Sequence, residues 1–166
     1  MSPERGTREI IVRVADLSVG TAGDVLTTVG LGSCVAIALH DPVARIAGLA
    51  HILLPSPALS READKAGKFP QTALPMLLAR MVEEGAARRR ITARLAGGAS
   101  MFANLTPPGA IQMGERNVVA CRQALADHEV PLVGEAVGGD FGRTVRLHVE
   151  SGRLDVSSIL HGVQTL

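Results

Sequence analysis

Cys34 and His51 are the residues of this sequence best suited to covalent chemistry. The thiol follows the turn Gly30-Leu31-Gly32-Ser33 and opens one apolar run, and the imidazole stands inside a second, Ile46 to Leu53. Between them lies His40-Asp41-Pro42-Val43-Ala44-Arg45, where Asp-Pro signals a type I turn. The two runs therefore read as a β-hairpin. If Asp41 to Ala44 form a four-residue turn, Asp41 opposes Ala44, Leu39 opposes Ile46 and Cys34 opposes His51. Directly opposed residues of an antiparallel pair hold their Cβ atoms about 4.5–5.5 Å apart, close enough for a thiol to meet an imidazole. The alternation agrees: Val35, Ile37, Leu39, Ile46, Ala50 and Ile52 share one face, while Cys34, Ala36, Ala38, Ala47, Leu49 and His51 share the other. A slip of one residue would put the pair on opposite faces. The glycines after Thr28 permit positive φ and a tight return, so its hydroxyl can reach the far nitrogen of His51 and fix the tautomer. Nucleophile, base and orienter are the parts of an activated-nucleophile site.

On the residues alone, a second reading stays open. Free cysteine is among the most buried residue types, and a histidine in an apolar strand is commonly a satisfied core residue. Cys121 falls on the apolar stripe of a helix and reads as core. His40 and Arg45 flank the turn and read as solvated, His128 lies near a helix end, and His148 and His161 have no obvious partner. Gly30-Leu31-Gly32 invites a dinucleotide reading, but Val35 stands where the third glycine would fall and no long helix follows. Gly97-Gly98 and Gly138-Gly139 read either as anion nests and oxyanion loops or as tight turns.

Composition removes several function classes. A formal net charge of +1, with no Trp, no Tyr and three Phe, offers neither a basic field nor stacking platforms for nucleic acid. The basic cluster Arg88-Arg89-Arg90 reads as a solvated helix end, where cations favour the dipole. Two cysteines argue against a disulfide framework, and five scattered histidines without C-x-x-C or H-E-x-x-H spacing give no metal site. No apolar run approaches the ~20 residues that span a bilayer. The opening MSPERGTREIIVRV lacks the order of a signal peptide, so the expectation is a cytoplasmic protein without membrane insertion.

The elements that must position these residues follow from periodicity. Strands are expected at Glu9 to Val14, Val25 to Val29, Cys34 to Leu39, Ile46 to Leu53, Ile91 to Ala96, Leu132 to Val137, Thr144 to Glu150 and Leu154 to Ser157. Leu17 to Gly23 reads as a small-residue turn, and Pro55 to Lys68 as a mobile loop. Helices are expected over Thr72 to Arg89, with a stripe at Leu74, Leu77, Leu78, Met81 and Val82, and over Glu115 to His128, with a stripe at Val118, Cys121, Ala124 and Leu125. With 46% apolar residues in a chain of 166, the expectation is one mixed α/β domain over 1–166, its sheets largely antiparallel.

Several segments, in order, resemble the CheD family of chemoreceptor glutamine deamidases. They are VGLGSCVAIALHDPVARIAGLAHILLP at Val29–Pro55, LAGGASMF at Leu95–Phe102, MGERN at Met113–Asn117, VGGDFGRTV at Val137–Val145 and LHVESGRL at Leu147–Leu154. The resemblance implies a layered α/β/β fold, similar to that of cytotoxic necrotizing factor-type deamidases, with two main helices. It implies a Cys-His-Thr triad at Cys34, His51 and Thr28, working without a cofactor. It implies conversion of receptor glutamines to glutamates, with the cytoplasmic helices of methyl-accepting chemoreceptors as substrate and a CheC-type phosphatase as a partner of some members. One segment departs: where the family usually carries R/K-Tyr-x-Asp, this chain has Lys68-Phe69-Pro70-Gln71.

From this combined reading, Gly32, Ser33 and the Cys34 backbone N–H are expected to support an oxyanion. Phe69, Gln71, Gly97, Gly98, Gly138, Gly139 and Phe141 are expected on the loops that meet substrate or partner. Two rival functions share these residues. One is a related thiol hydrolase, such as a receptor methylesterase. The other is a non-catalytic module that regulates a phosphatase.

Overall fold

A computed structural model describes residues 7–62, 65–105 and 107–166. Among these residues ten strands form two five-stranded sheets, and two α-helices cover one of them. The strands are β1 Arg8–Ile11, β2 Leu17–Thr21, β3 Asp24–Leu31, β4 Val35–Asp41, β5 Ile46–Ile52, β6 Thr92–Gly97, β7 Leu132–Val137, β8 Arg143–His148, β9 Leu154–Ser158 and β10 Gly162–Thr165. The helices are α1 Pro70–Glu83 and α2 Met113–Asp127. One sheet has the order β1-β3-β8-β9-β10, the other β2-β5-β4-β6-β7. Among the described residues eight strand pairs build the sheets, and only β1 with β3 and β6 with β7 are parallel.

Two cores account for the layering. Val35, Ile37, Leu39, Ile46, Ala50 and Ile52 of the β4–β5 hairpin pack against Leu74, Leu77 and Met81 of α1 and Val118, Cys121 and Leu125 of α2. The opposite face, with Cys34, Ala36, Ala38, Ala47 and Leu49, packs against Leu26, Val145, Leu147 and Val156 of the other sheet. Strands buried on both faces read as near-continuous apolar runs, as β4 and β5 do. The arrangement is the α/β/β layering, and the two faces are those set out by the alternation.

The hairpin register differs from the expected one. Asp41 pairs with Ile46 and Ala36 with His51, so the pairing is displaced by two residues. The cause lies in the turn. Asp41 Oδ1 accepts the N–H groups of Val43 (3.0 Å) and Ala44 (3.1 Å), and Arg45, at φ +54°, donates its N–H to the Asp41 carbonyl at 2.9 Å. A four-residue loop results in place of a two-residue one. Because side chains alternate with period two, a displacement of two leaves every residue on its expected face.

Other departures have equally local causes. Leu17–Thr21 is an edge strand paired with β5, not a turn; its small residues serve packing, since a Cβ at Gly20 would lie 3.0 Å from Val149 Cγ2. Helix α1 ends at Glu83, short of Arg89. Gly85, at φ +116°, donates to Val82 O (3.0 Å) and Ala86 donates to Met81 O (3.0 Å), a Schellman stop. Strand β10 lies along the exposed edge of the first sheet, where its sequence carries no apolar alternation.

His40 is buried, not solvated, its Nε2 2.9 Å from the Val149 carbonyl and its ring packed against Gly152. Arg90 is not a solvated helix end either. It donates through Nε to Asp41 at 3.0 Å, and the Ala87 N–H reaches the same carboxylate at 2.8 Å. Burial pushes the Asp41 carboxyl up, but Arg90 and the N–H groups of Ala87, Ala44 and Val43 outweigh it and hold it well below the usual range. Arg45 lies exposed and pairs with Glu150.

Asp41 thus ties the hairpin loop to the segment after α1. Removing one partner of a buried, hydrogen-bonded pair leaves its donors unmet. Asp41→Ala is expected to lower unfolding free energy by about 3 kcal/mol, read as a fall in the urea midpoint with an unchanged slope. A loss below about 0.5 kcal/mol, the scale of an ordinary surface substitution, would show that the loop closes without it.

Candidate active site

The chain passes from one sheet to the other between Thr28 and Val35, and that crossing builds the site. On β3, pairing with β8 runs regularly to Thr28↔Val145, then resumes at Leu31↔Arg143 after an irregularity at Val29 and Gly30. Gly30 adopts φ +73°, a left-handed conformation that glycine takes without penalty. The Gly32 N–H then closes onto Gly30 O at 3.1 Å.

Three successive carbonyls beyond this turn are held from outside it. Gly32 O accepts from the Ala99 N–H at 2.8 Å, Ser33 O from Asn117 Nδ2 at 2.9 Å, and Cys34 O from the Gly98 N–H at 2.8 Å. Such close approach requires glycine. A Cβ at Gly97 would collide with Cys34 O, and one at Gly98 with Val118 of α2. Gly97 and Gly98 therefore hold the cysteine loop, and the Gly98 N–H is committed to that task.

His51 lies on β5 with no exposed surface. Its backbone is bracketed by the segment after β1: Ala15 N–H donates to His51 O (2.9 Å) and His51 N–H to Asp16 O (3.0 Å). Its Nδ1 lies 2.7 Å from Thr28 Oγ1, and that hydroxyl lies 2.6 Å from Val12 O. A carbonyl only accepts, so the threonine proton points at Val12, and the hydroxyl oxygen accepts from Nδ1–H. The proton of the neutral imidazole thus resides on Nδ1, and the lone pair on Nε2. Nε2 is buried and has no hydrogen-bond partner among the described residues.

Cys34 is buried, with 8% of its surface exposed. With Ala36 opposite His51, the cysteine sits one diagonal step from it on the same face, not directly across. Diagonal neighbours stand about 7–8 Å apart between backbones, within reach of long side chains. No hydrogen bond joins sulfur to ring in this resting arrangement. Burial pushes the Cys34 thiol up, opposed by its own backbone N–H, and burial pulls His51 down to about 4. Burial thus disfavours the charged form of each group. Cys121, fully buried in the helix-side core, has its thiol driven much further up by burial.

The remaining candidate residues divide. Phe69 is buried at the start of α1 and cannot meet a partner; Gln71 donates to Pro55 O at 2.7 Å and ties the loop after β5 to that helix. Gly138 and Gly139 both take positive φ, and the Gly138 N–H bonds Gly97 O at 3.0 Å, so this loop leans on the one that holds the cysteine. Phe141 contacts Arg143, 4.1 Å from its ring centre, and His161, whose ring centre is 4.2 Å away. His161 thus has a partner, and so does His148, 3.0 Å from Asp155. A cleft of about 680 Å³ runs beside the crossing, lined by Gly30, Met101, Phe141, Arg143, Ile159 and Leu160.

Asn117 is the site residue that sequence reasoning missed. It is fully buried, and its Nδ2 donates to both Ser33 O and Leu53 O, the latter at 3.2 Å. An asparagine on the helical face that carries Val118 and Cys121 is the only trace of it in the sequence. No helix among the described residues is long and apolar enough to cross a membrane.

Comparison with known proteins bears on the family of the chain. The CheD family model, described as CheD chemotactic sensory transduction, matches residues 53–158. The probable chemoreceptor glutamine deamidase CheD of Caldanaerobacter subterraneus subsp. tengcongensis is 44% identical over 92% of this chain and 94% of its own. The chemoreceptor glutamine deamidase CheD of Halalkalibacterium halodurans is 39% identical over 91% of this chain and 94% of its own. Among solved structures, Neisseria meningitidis protein NMB0706, of family DUF152, superposes with a TM-score of 0.52 at 11% identity, covering 81% of this chain and 65% of that one. That likeness concerns the fold alone.

Two outcomes test the geometry. Iodoacetamide at pH 7.5 is expected to label Cys34 in the folded protein and leave Cys121 untouched, with both modified in denaturant, as peptide mass mapping would read; early native labelling of Cys121 would contradict its burial. Thr28→Val leaves the His51 Nδ1–H and the Val12 carbonyl unmet in the interior. It is expected to cost about 1–3 kcal/mol of stability, measured by urea unfolding. A neutral result would mean that water or another group replaces the hydroxyl.

Proposed function

The chain belongs to the CheD family, and on that footing we propose that it deamidates glutamine side chains of chemoreceptors through Cys34, His51 and Thr28. The observation that carries this reading is the unpartnered Nε2 of His51, buried on the face that bears Cys34, with the opposite nitrogen fixed by Thr28. A packed core histidine satisfies both nitrogens; a base awaiting a thiol proton leaves one free.

In the proposed reaction, Cys34 Sγ attacks the side-chain amide carbon of glutamine as Nε2 takes the thiol proton. A C–S bond forms and the amide oxygen becomes an oxyanion, met by the Cys34 N–H. Collapse breaks the C–N bond, and Nε2–H protonates the departing nitrogen to give ammonia. Water then adds to the thioester while Nε2 accepts its proton. The C–S bond breaks, the proton returns to sulfur, and glutamate leaves. Thr28 keeps the proton on Nδ1 throughout, so the same nitrogen faces the reaction in both halves. Burial disfavours the charged form of each group, so no thiolate–imidazolium pair is favoured at rest. The cleft beside Gly30 and Met101, walled by Phe141 and Leu160, is the proposed seat of the receptor helix. A CheC-type phosphatase as second partner belongs to the same proposal.

Mass spectrometry of a receptor cytoplasmic fragment incubated with the protein tests the reading. The expected result is a gain of about one dalton at a defined glutamine, absent with Cys34→Ala and slowed by about 10²-fold with Thr28→Val, the low end of a positioned base's contribution. Loss of methanol from a methylated receptor, with amides intact, would assign the methylesterase instead. No change on several receptors would leave the regulatory module. The pH profile adds an independent check. His51 is depressed to about 4 by burial, so its basic form persists as pH falls through the ordinary histidine range. kcat/KM is expected to stay level from pH 8 down to about 5 and to fall only near 4. A fall centred between 6 and 7 would mean that His51 titrates as an exposed imidazole.

A further inference from the structure

Resting on the deamidase reading, we propose that Asn117 is a positioning residue for the oxyanion donor. It fixes the peptide between Ser33 and Cys34 so that the Cys34 N–H faces the developing oxyanion. In a trans peptide the C=O of one residue and the N–H of the next point in opposite directions, and the described residues contain no cis bond. Asn117 Nδ2 takes the Ser33 carbonyl from the side of α2. The Cys34 N–H is thereby turned the other way.

A further observation supports that direction. Among the described residues no loop or turn hydrogen bond uses the N–H of Ser33 or of Cys34, although the carbonyls of Gly32, Ser33 and Cys34 are all taken.

Asn117 also reaches Leu53 O, two residues beyond His51. One side-chain amide therefore joins the loop that carries the nucleophile to the end of the strand that carries the base. Its own Oδ1 is buried without a partner. Turning the amide over would place that oxygen against two carbonyls, so the donor orientation is fixed by its neighbours. A fully buried asparagine that leaves one polar atom unmet is costly for packing alone. Close seating of the helix supports the same function: a Cβ at Gly114 would collide with the carbonyls of Gly98 and Ala99, the residues whose N–H groups hold Cys34 O and Gly32 O.

The test separates oxyanion support from simple packing with two reagents that both attack Cys34. p-Nitrophenyl acetate acylates the thiol through a tetrahedral oxyanion; iodoacetamide alkylates it by displacement at carbon, with no oxyanion. Asn117→Ala is expected to slow acylation by about 10²-fold, as loss of a preorganised donor does, while alkylation stays within about threefold. Asn117→Asp, of the same shape but with an acceptor in place of the donor, is expected to behave alike and serves if the alanine variant does not fold. Equal loss of both rates would make Asn117 a packing residue, and no loss of either would give it no role. Each of those results overturns the proposal.

Receptor deamidation by the same proteins keeps the two readings apart. If the wild-type protein acylates at Cys34 yet leaves receptor glutamines unchanged, the substrate assignment fails. The inference about Asn117 is then still decided by the ratio of the two rates.

Discussion

A hydrogen bond between the two sheets, from His51 Nδ1 to Thr28 Oγ1 and on to Val12 O, is the constraint on which the rest depends. Polar groups in a low-dielectric interior are costly unless each finds a partner. Here the chain of two short bonds satisfies the hydroxyl in both directions and the imidazole in one. It fixes the spacing of the sheets at the end where the chain crosses between them. The segment from Val12 to Asp16 serves both sheets at this point. Val12 bonds Thr27 and Thr28 of β3, while Ala15 and Asp16 bond the backbone of His51. Ala15 adopts φ +65° as it makes that passage, an unusual conformation for a residue with a side chain.

Each layer of the fold delivers a different part of the site. The outer sheet supplies Thr28, the central sheet supplies His51, and the crossing between them supplies Cys34. The helix layer reaches the same place from behind, through Asn117 and through the contact of Gly114 with the Gly98–Ala99 backbone. The cysteine loop is held by groups that do not touch the histidine, and the histidine by groups that do not touch the loop; Asn117 alone among these contacts spans both sides.

Much of this was legible in the sequence where the physics is periodic. The period-two alternation of the β4 and β5 runs put Cys34 and His51 on one face, and that face survived an error in the turn because the displacement was even. The glycines between Thr28 and Cys34 signalled a tight return, and the return is there. What the sequence hid was decided by long-range contact. Asp41 was read from its neighbour Pro42 as a turn former, yet its carboxylate also receives Ala87 and Arg90, far along the chain. His40 and Arg90 read as solvated, and Phe69 as part of a partner-facing loop, because nothing local shows what packs over them. Asn117 is not legible in the same way, since one polar residue on an apolar helical stripe carries no indication of what it bonds.

Burial of the site sets the character of the chemistry it can support. A base performs best with a pKa near the working pH, and desolvation has taken His51 well below that. An aspartate in place of Thr28 would raise the imidazolium, but it would also bury a charge between the sheets, at a penalty of several kcal/mol. Threonine orients the ring and leaves the interior neutral. In the proposed reaction burial disfavours both thiolate and imidazolium, so stabilisation of the transition state is called for elsewhere. The natural place is the developing oxyanion, where a fixed N–H in a water-poor site acts without reorganising. The geometry concentrates its effort there: three consecutive carbonyls of the cysteine loop are tied down by partners outside that loop. On this view the orientation of one peptide plane matters as much to the rate as the identity of the base.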